Sequence, residues 1–173
     1  QTCALPILAF EALIISFTAA IFRKYSGGVH ASSPWICTFI DTIVCVGQAI
    51  LISLLLNFIV DFKLVIILEV VIFTWSYYII YKLVPVDSVS KPIVKQEKRN
   101  RMKKGSIILL SVYLGITVFL ILLYISSGEK KLMFYVLCLY SGILWQTFTI
   151  TSPGHLLVGK VDQLLNHIIK NRG

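Results

Sequence analysis

Five long apolar runs alternate with short polar breaks, at about Leu8–Phe22, Pro34–Val60, Leu64–Leu83, Ser106–Ile125 and Leu132–Ile150. A helix needs about 18 to 20 apolar residues to cross a bilayer, and several of these runs are long enough. In lipid, backbone polar groups must find partners inside their own segment, so spans of this length are helices. The breaks at Asp61-Phe62-Lys63 and Ser126–Lys131 join neighbouring spans as antiparallel hairpins. The pattern predicts an all-α fold, a polytopic transmembrane helical bundle of about five spans. From His155 to Lys170 it changes. Leu157, Val161, Leu164, Leu165 and Ile168 recur at helical spacing opposite Lys160, Gln163, Asn166, His167 and Lys170. This predicts a C-terminal interfacial helix, apolar face down, or one packed on the ends of the others.

Composition agrees with a membrane-embedded chain. Apolar residues are 57% of the 173, mean hydropathy is +0.86, and only 14% of residues are charged, too few for a soluble surface. Thirteen of the sixteen Lys and Arg residues fall on one side of the predicted bundle, leaving Lys63, Lys130 and Lys131 on the other. The positive-inside rule makes the richer side cytosolic, which predicts a multi-pass membrane protein with His30 and Cys37 at the cytosolic face. There is no internal repeat and no Gly/Ser linker, so residues 8–173 read as one integral membrane domain. Gln1–Ile7 resembles a translated sequencing adapter, without an initiator Met; on that reading residues 1–7 are set aside and the natural chain begins upstream. Cys37, Cys45 and Cys138 then remain, with neither a disulfide framework nor a zinc spacing. No metal and no cofactor is expected.

The chemistry concentrates in the break between the first two spans, Arg23-Lys24-Tyr25-Ser26-Gly27-Gly28-Val29-His30-Ala31-Ser32-Ser33-Pro34-Trp35-Ile36-Cys37. A thiol beside an imidazole is the minimum for thiolate chemistry, since the imidazole takes the proton and the thiolate attacks an acyl carbon. Ser33-Pro34 is a helix start, Ser as N-cap and Pro at the first helical position, which puts Cys37 near a helix N-terminus that favours the thiolate. Seven residues on one helix would separate His30 from Cys37 by about 10 Å of rise, too far to touch. A turn through Ser32–Pro34 removes that separation, and Gly27-Gly28 allows the backbone angles it needs. Arg23 and Lys24 add positive charge that favours thiolate or holds a substrate carboxylate. The plainer alternative is an inert buried thiol and a histidine making only a helix-end contact.

The stretch Arg23…Gly27-Gly28-Val29-His30-Ala31-Ser32…Cys37 resembles the signature of the accessory gene regulator protein B family, membrane endopeptidases of bacterial quorum sensing. Pro85-Val86-Asp87…Lys91-Pro92-Ile93 is also similar, and the similarity runs from about Leu8 to Ile150. The resemblance implies His30 and Cys37 as the catalytic pair, with Arg23 and Gly28 needed for activity. It further implies cleavage of a short peptide precursor, a thioester on Cys37, and closure of a thiolactone or lactone ring. The family also uses a glutamine earlier in the chain, in a region this sequence lacks.

Asp41 lies four residues after Cys37 on the same helical face, to orient His30, to pair with Arg23, or to sit at headgroup level. Glu69 falls inside a span, for helix packing or for peptide passage. Gln48 and Asn57 are expected to hydrogen-bond between helices, and Cys45 and Cys138 to pack. The Val84–Gly105 loop holds seven basic residues against Asp87 and Glu97. Topology and anionic lipid explain that charge, while Lys91, Lys95, Lys98 and Arg99 also suit docking of an acidic precursor segment. Nucleic acid is not an expected partner, because the basic run lacks interleaved aromatics between its two spans. Membrane lipids, the precursor and a second copy of the chain are the partners admitted. Two rivals to the peptidase stay open: a non-catalytic membrane protein that binds or exports a peptide, and a lipid-handling enzyme.

Overall fold

The structure is a computed structural model that describes residues 4–59, 61–86 and 95–170, with side chains for 9–54, 61–86 and 95–170. Among these residues there are six helices: α1 (Ala4–Ser26), α2 (Pro34–Ile59), α3 (Phe62–Leu83), α4 (Gln96–Ser127), α5 (Lys130–Ile150) and α6 (Ser152–Lys170). The one extended pairing among the described residues is an isolated parallel bridge between Gly27 and Val86.

The bundle is organised around α5, which packs against all five other helices. A glycine makes its closest approach possible: a Cβ on Gly142 would stand 2.7 Å from the Ile15 carbonyl oxygen of α1. Small residues at such a crossing let two membrane helices come together, since lipid supplies no hydrophobic drive for their association. Polar side chains tie the helices where they are buried. Thr117 donates to Glu69 at 2.8 Å and Tyr140 donates to its other oxygen at 3.1 Å, so α3, α4 and α5 meet at one carboxylate. Ser76 and Thr147 share a hydrogen bond of 3.0 Å. Of the two roles open to Glu69, packing is the one these bonds support.

Among the described residues four helices are long and apolar enough to cross a membrane, namely α2 (over Pro34–Leu54), α3, α4 and α5. The sequence pattern predicted about five. The fifth expected span corresponds to α1, part of which lies outside the residues whose side chains are described; it lies against α5, α2 and α4.

The largest boundary difference is at α4. The pattern placed Lys95–Gly105 in a loop, but the helix begins at Gln96, ten residues before Ser106. The reason is local: Gln, Glu, Lys, Arg and Met are good helix formers, and Arg101 pairs with Glu97 one turn back at 3.0 Å. Gly105 sits in that helix where a Cβ would meet the Tyr25 ring at 2.5 Å, which brings α1 and α4 together. Lys91 lies outside the described residues.

Of the two courses open to it, the C-terminal helix shows the packing one. Val158 is buried with Ile36, Ile40 and Trp145, while Leu156, Leu157, Leu164, Ile168 and Ile169 stay exposed. Cys45 and Cys138 are buried, as expected of packing residues. The Gln48 carbonyl oxygen is buried with no hydrogen-bond partner among the described residues. The Asn57 side chain lies outside the described residues.

Candidate active site

The last turn of α1 and the first turns of α2 converge because the chain between them reverses within seven residues. Ser26 closes α1, its hydroxyl donating to the Phe22 carbonyl at 3.0 Å. Gly27 and Gly28 then take φ of 71° and 142°, conformations that side-chain-bearing residues rarely adopt. A Cβ on Gly27 would stand 2.5 Å from the Val86 carbonyl oxygen, so the glycine also admits the neighbouring strand-like segment. Val86 N–H donates to Ser26 O at 3.2 Å and seals that contact. Past the turn, Cys37 N–H donates to Ser33 O at 3.0 Å, the first helical bond of α2. This is the N-cap placement that Ser33-Pro34 predicted.

Cys37 therefore sits one turn into α2, with three groups around its sulfur. His30 Nδ1 is 4.0 Å from Sγ, Arg23 Nη1 donates to it at 3.7 Å, and Asp41 Oδ2 is 3.9 Å away. The turn thus brings the imidazole back over the helix end. Arg23 grips Asp41 through both arms, at 2.5 Å and 3.0 Å. Burial by itself would depress the Arg23 guanidinium, but the Asp41 carboxylate outweighs that and holds it above its ordinary value. Of the roles open to Asp41, the ion pair with Arg23 is the one present.

Two residues from α5 that sequence reasoning did not single out hold this pair. Trp145 Nε1–H donates to Asp41 Oδ1 at 2.9 Å, and Arg23 Nε–H donates to Gln146 Oε1 at 3.0 Å. Gln146 is fully buried, and its amide nitrogen donates to Ser26 Oγ and Gly27 O at 3.0 Å and 2.7 Å. Its side-chain bonds therefore go to the site or to the turn that shapes it. A glutamine at the end of an apolar run is costly to bury without partners, and that was the available signal. Gly28 lies under the same side chain, where a Cβ would be 3.1 Å from Gln146 Nε2.

A cavity of about 710 Å³ opens beside these groups, lined among others by Arg23, Lys24, Gly28, His30, Asp41 and Lys98. Cys37 borders a smaller void, and Arg23 and Asp41 line both. Lys98 thus joins the site, while Lys95 and Arg99 lie beside it in sequence at the start of α4. No cluster of three or more metal-ligating side chains is present among the described residues.

The sequence pattern of the Accessory gene regulator B (AgrB) family matches residues 6–150. The chain belongs to that family. AgrB proteins take part in accessory gene regulator quorum sensing. The chain is 40% identical over 164 residues to the AgrB-like protein 2 of Clostridium perfringens strain 13, covering 94% of this chain and 76% of that protein. It is 37% identical, over the same shares, to an AgrB-like protein of Clostridium perfringens strain SM101. No solved structure matches the chain. The AgrB match takes in α1 to α5 and every residue around Cys37, and ends where α6 begins.

Proposed function

We propose that this AgrB-family chain is a membrane cysteine endopeptidase that matures a short quorum-sensing propeptide, with residues 8–173 as one peptidase domain. The observation that carries the reading is the sulfur of Cys37 between an imidazole at 4.0 Å and a guanidinium at 3.7 Å. His30 takes the Cys37 proton as general base, and Arg23 stabilises the resulting thiolate. A contact of 4.0 Å is loose, and such contacts tighten when substrate binds. The thiolate attacks a peptide carbonyl of the precursor. The carbon–nitrogen bond breaks, and the leaving amine takes the proton back from His30. The N-terminal piece stays on Sγ as a thioester. A Cys or Ser inside that piece then attacks the ester, closes a thiolactone or lactone ring and returns the proton to Cys37. No oxidant, metal or cofactor enters the balance.

The basic residues give the orientation: Arg23, Lys24, Lys82 and the start of α4 put this end of the bundle towards the cytosol of the bacterial cell. An acidic precursor segment would meet Lys98 in the cavity wall, with Lys95 and Arg99 close by and Lys91 in the preceding segment.

The test is co-expression of the chain with the small peptide encoded beside its gene, followed by mass spectrometry. Wild type is expected to yield a shortened or cyclised peptide, while Cys37→Ala and His30→Ala, present in the membrane at equal amounts, leave it intact. Unaltered processing by Cys37→Ala would overturn the covalent mechanism.

A further inference from the structure

The loop that carries His30 is fastened on its far side by α6, the helix beyond the AgrB match. Asp162 of α6 accepts two hydrogen bonds from one residue of that loop: Ser32 N–H at 3.1 Å and Ser32 Oγ–H at 2.8 Å. Asn166, one turn on, donates to Ser32 Oγ at 2.8 Å and to Asp162 Oδ1 at 3.2 Å. On the near side of His30, Val29 N–H points to the Thr149 carbonyl at the end of α5, at 3.5 Å. His30 thus hangs between two anchors, one on α5 and one on α6. The α6 anchor is the shorter and involves both the backbone and the side chain of Ser32.

The α6 anchor is itself braced. Gly154 lets α6 turn directly off α5, since a Cβ there would run into the Phe148 backbone. Val158, one turn before Asp162, packs on Ile36, Ile40 and Trp145, the last of which holds Asp41. Packing on the first turns of α2 therefore sets where Asp162 can stand relative to Cys37.

We infer that Asp162, through Ser32, is a positioning residue that holds the His30 loop against Cys37, so that α6 completes the site. The inference rests on the peptidase reading. A one-residue loop shift of about 1 Å is enough to separate an imidazole from a thiol, and misplacement on that scale costs up to about a hundredfold in rate. The anchor is exposed to solvent, which weakens each bond, so the expected loss is about tenfold.

The test measures processing of the co-expressed peptide at varied precursor level, and alkylation of Cys37 by iodoacetamide across pH. Wild type is compared with Asp162→Ala, Ser32→Ala, the double variant and Asp162→Asn, with Lys160→Ala as a control elsewhere on α6. The expected result is about a tenfold fall in turnover for either alanine variant, with the precursor level for half-maximal rate unchanged. The double variant should be no worse than the single ones, and Asp162→Asn, which keeps an acceptor oxygen, should recover most of the rate. The pH profile of Cys37 alkylation should change in Asp162→Ala and stay as wild type in Lys160→Ala. Turnover within twofold of wild type in both alanine variants, additive losses in the double variant, or an equal loss in Lys160→Ala would overturn the inference. Processing that survives Cys37→Ala would instead sink the peptidase reading itself, so the two failures are distinguishable.

Discussion

Arg23 and Asp41 form a two-armed ion pair, 2.5 Å and 3.0 Å, one helical turn beyond Cys37. The pair reconciles two neighbours of the sulfur that oppose each other. Asp41 Oδ2 is 3.9 Å from Sγ, and a bare carboxylate there would disfavour a thiolate. Arg23 Nη1 contacts both groups, pairing with the carboxylate and donating to the sulfur. Gln146 and Trp145 then fix the two partners from behind.

Removing Arg23 should expose that conflict. In Arg23→Ala the carboxylate is left unopposed beside the sulfur, and alkylation of Cys37 by iodoacetamide at neutral pH is expected to slow about tenfold. Arg23→Lys keeps the charge but loses the fork that engages Asp41 and Gln146 together, so it should fall between the two. Peptide mapping by mass spectrometry reads the rate at Cys37 alone. Equal rates in wild type and Arg23→Ala would show that Arg23 does not act on the thiol.

The three described cysteines should differ sharply in reactivity. Cys45 and Cys138 are 1% and 0% exposed, whereas Cys37 is half-buried next to His30. A small alkylating reagent applied to the protein in its membrane is therefore expected to label Cys37 well before the other two. Labelling of Cys138 at the rate of Cys37 would mean that α5 is not the packed centre of the bundle.

Gly28 should not tolerate a side chain. Its φ of 142° is strained for alanine, and the added Cβ would press on Gln146 Nε2 at 3.1 Å. Backbone strain of this kind costs about 1–3 kcal/mol. Because Gln146 also holds Arg23, Gly28→Ala is expected to lower processing more than it lowers thermal stability in detergent. A variant that loses stability but keeps its turnover would confine Gly28 to a structural role.

The candidate site was legible in the sequence where chemistry and turn signals coincide. His30, Cys37 and Ser33-Pro34 stand within a few residues, and the glycine pair announces the reversal that joins them. The pairing of Arg23 with Asp41 was legible as one of three roles open to that carboxylate; which of them holds depends on α1 and α2 lying side by side. Trp145 and Gln146 come from a helix more than a hundred residues away, and no local pattern links them to Cys37. Asp162 carries still less signal, being one polar position on an amphipathic helix. The spans followed from hydropathy, but the start of α4 did not, because a charged run that forms helix looks in composition like a charged loop.

Glu69 offers a last separation, between packing and passage. Its carboxylate accepts from Thr117 and Tyr140 at the meeting of α3, α4 and α5, and is 7% exposed. Glu69→Gln keeps an acceptor and the shape, so it should change stability by less than about 1 kcal/mol. Glu69→Ala strands the buried Tyr140 hydroxyl, leaves Thr117 only the Leu114 carbonyl, and opens a hole, at a cost of about 2–3 kcal/mol. Neither change touches the groups around Cys37. Peptide processing per folded molecule should therefore match wild type in both variants, while thermal unfolding in detergent drops in Glu69→Ala. Loss of processing in a stable Glu69→Gln protein would show instead that the carboxylate charge acts on the peptide or its path through the membrane.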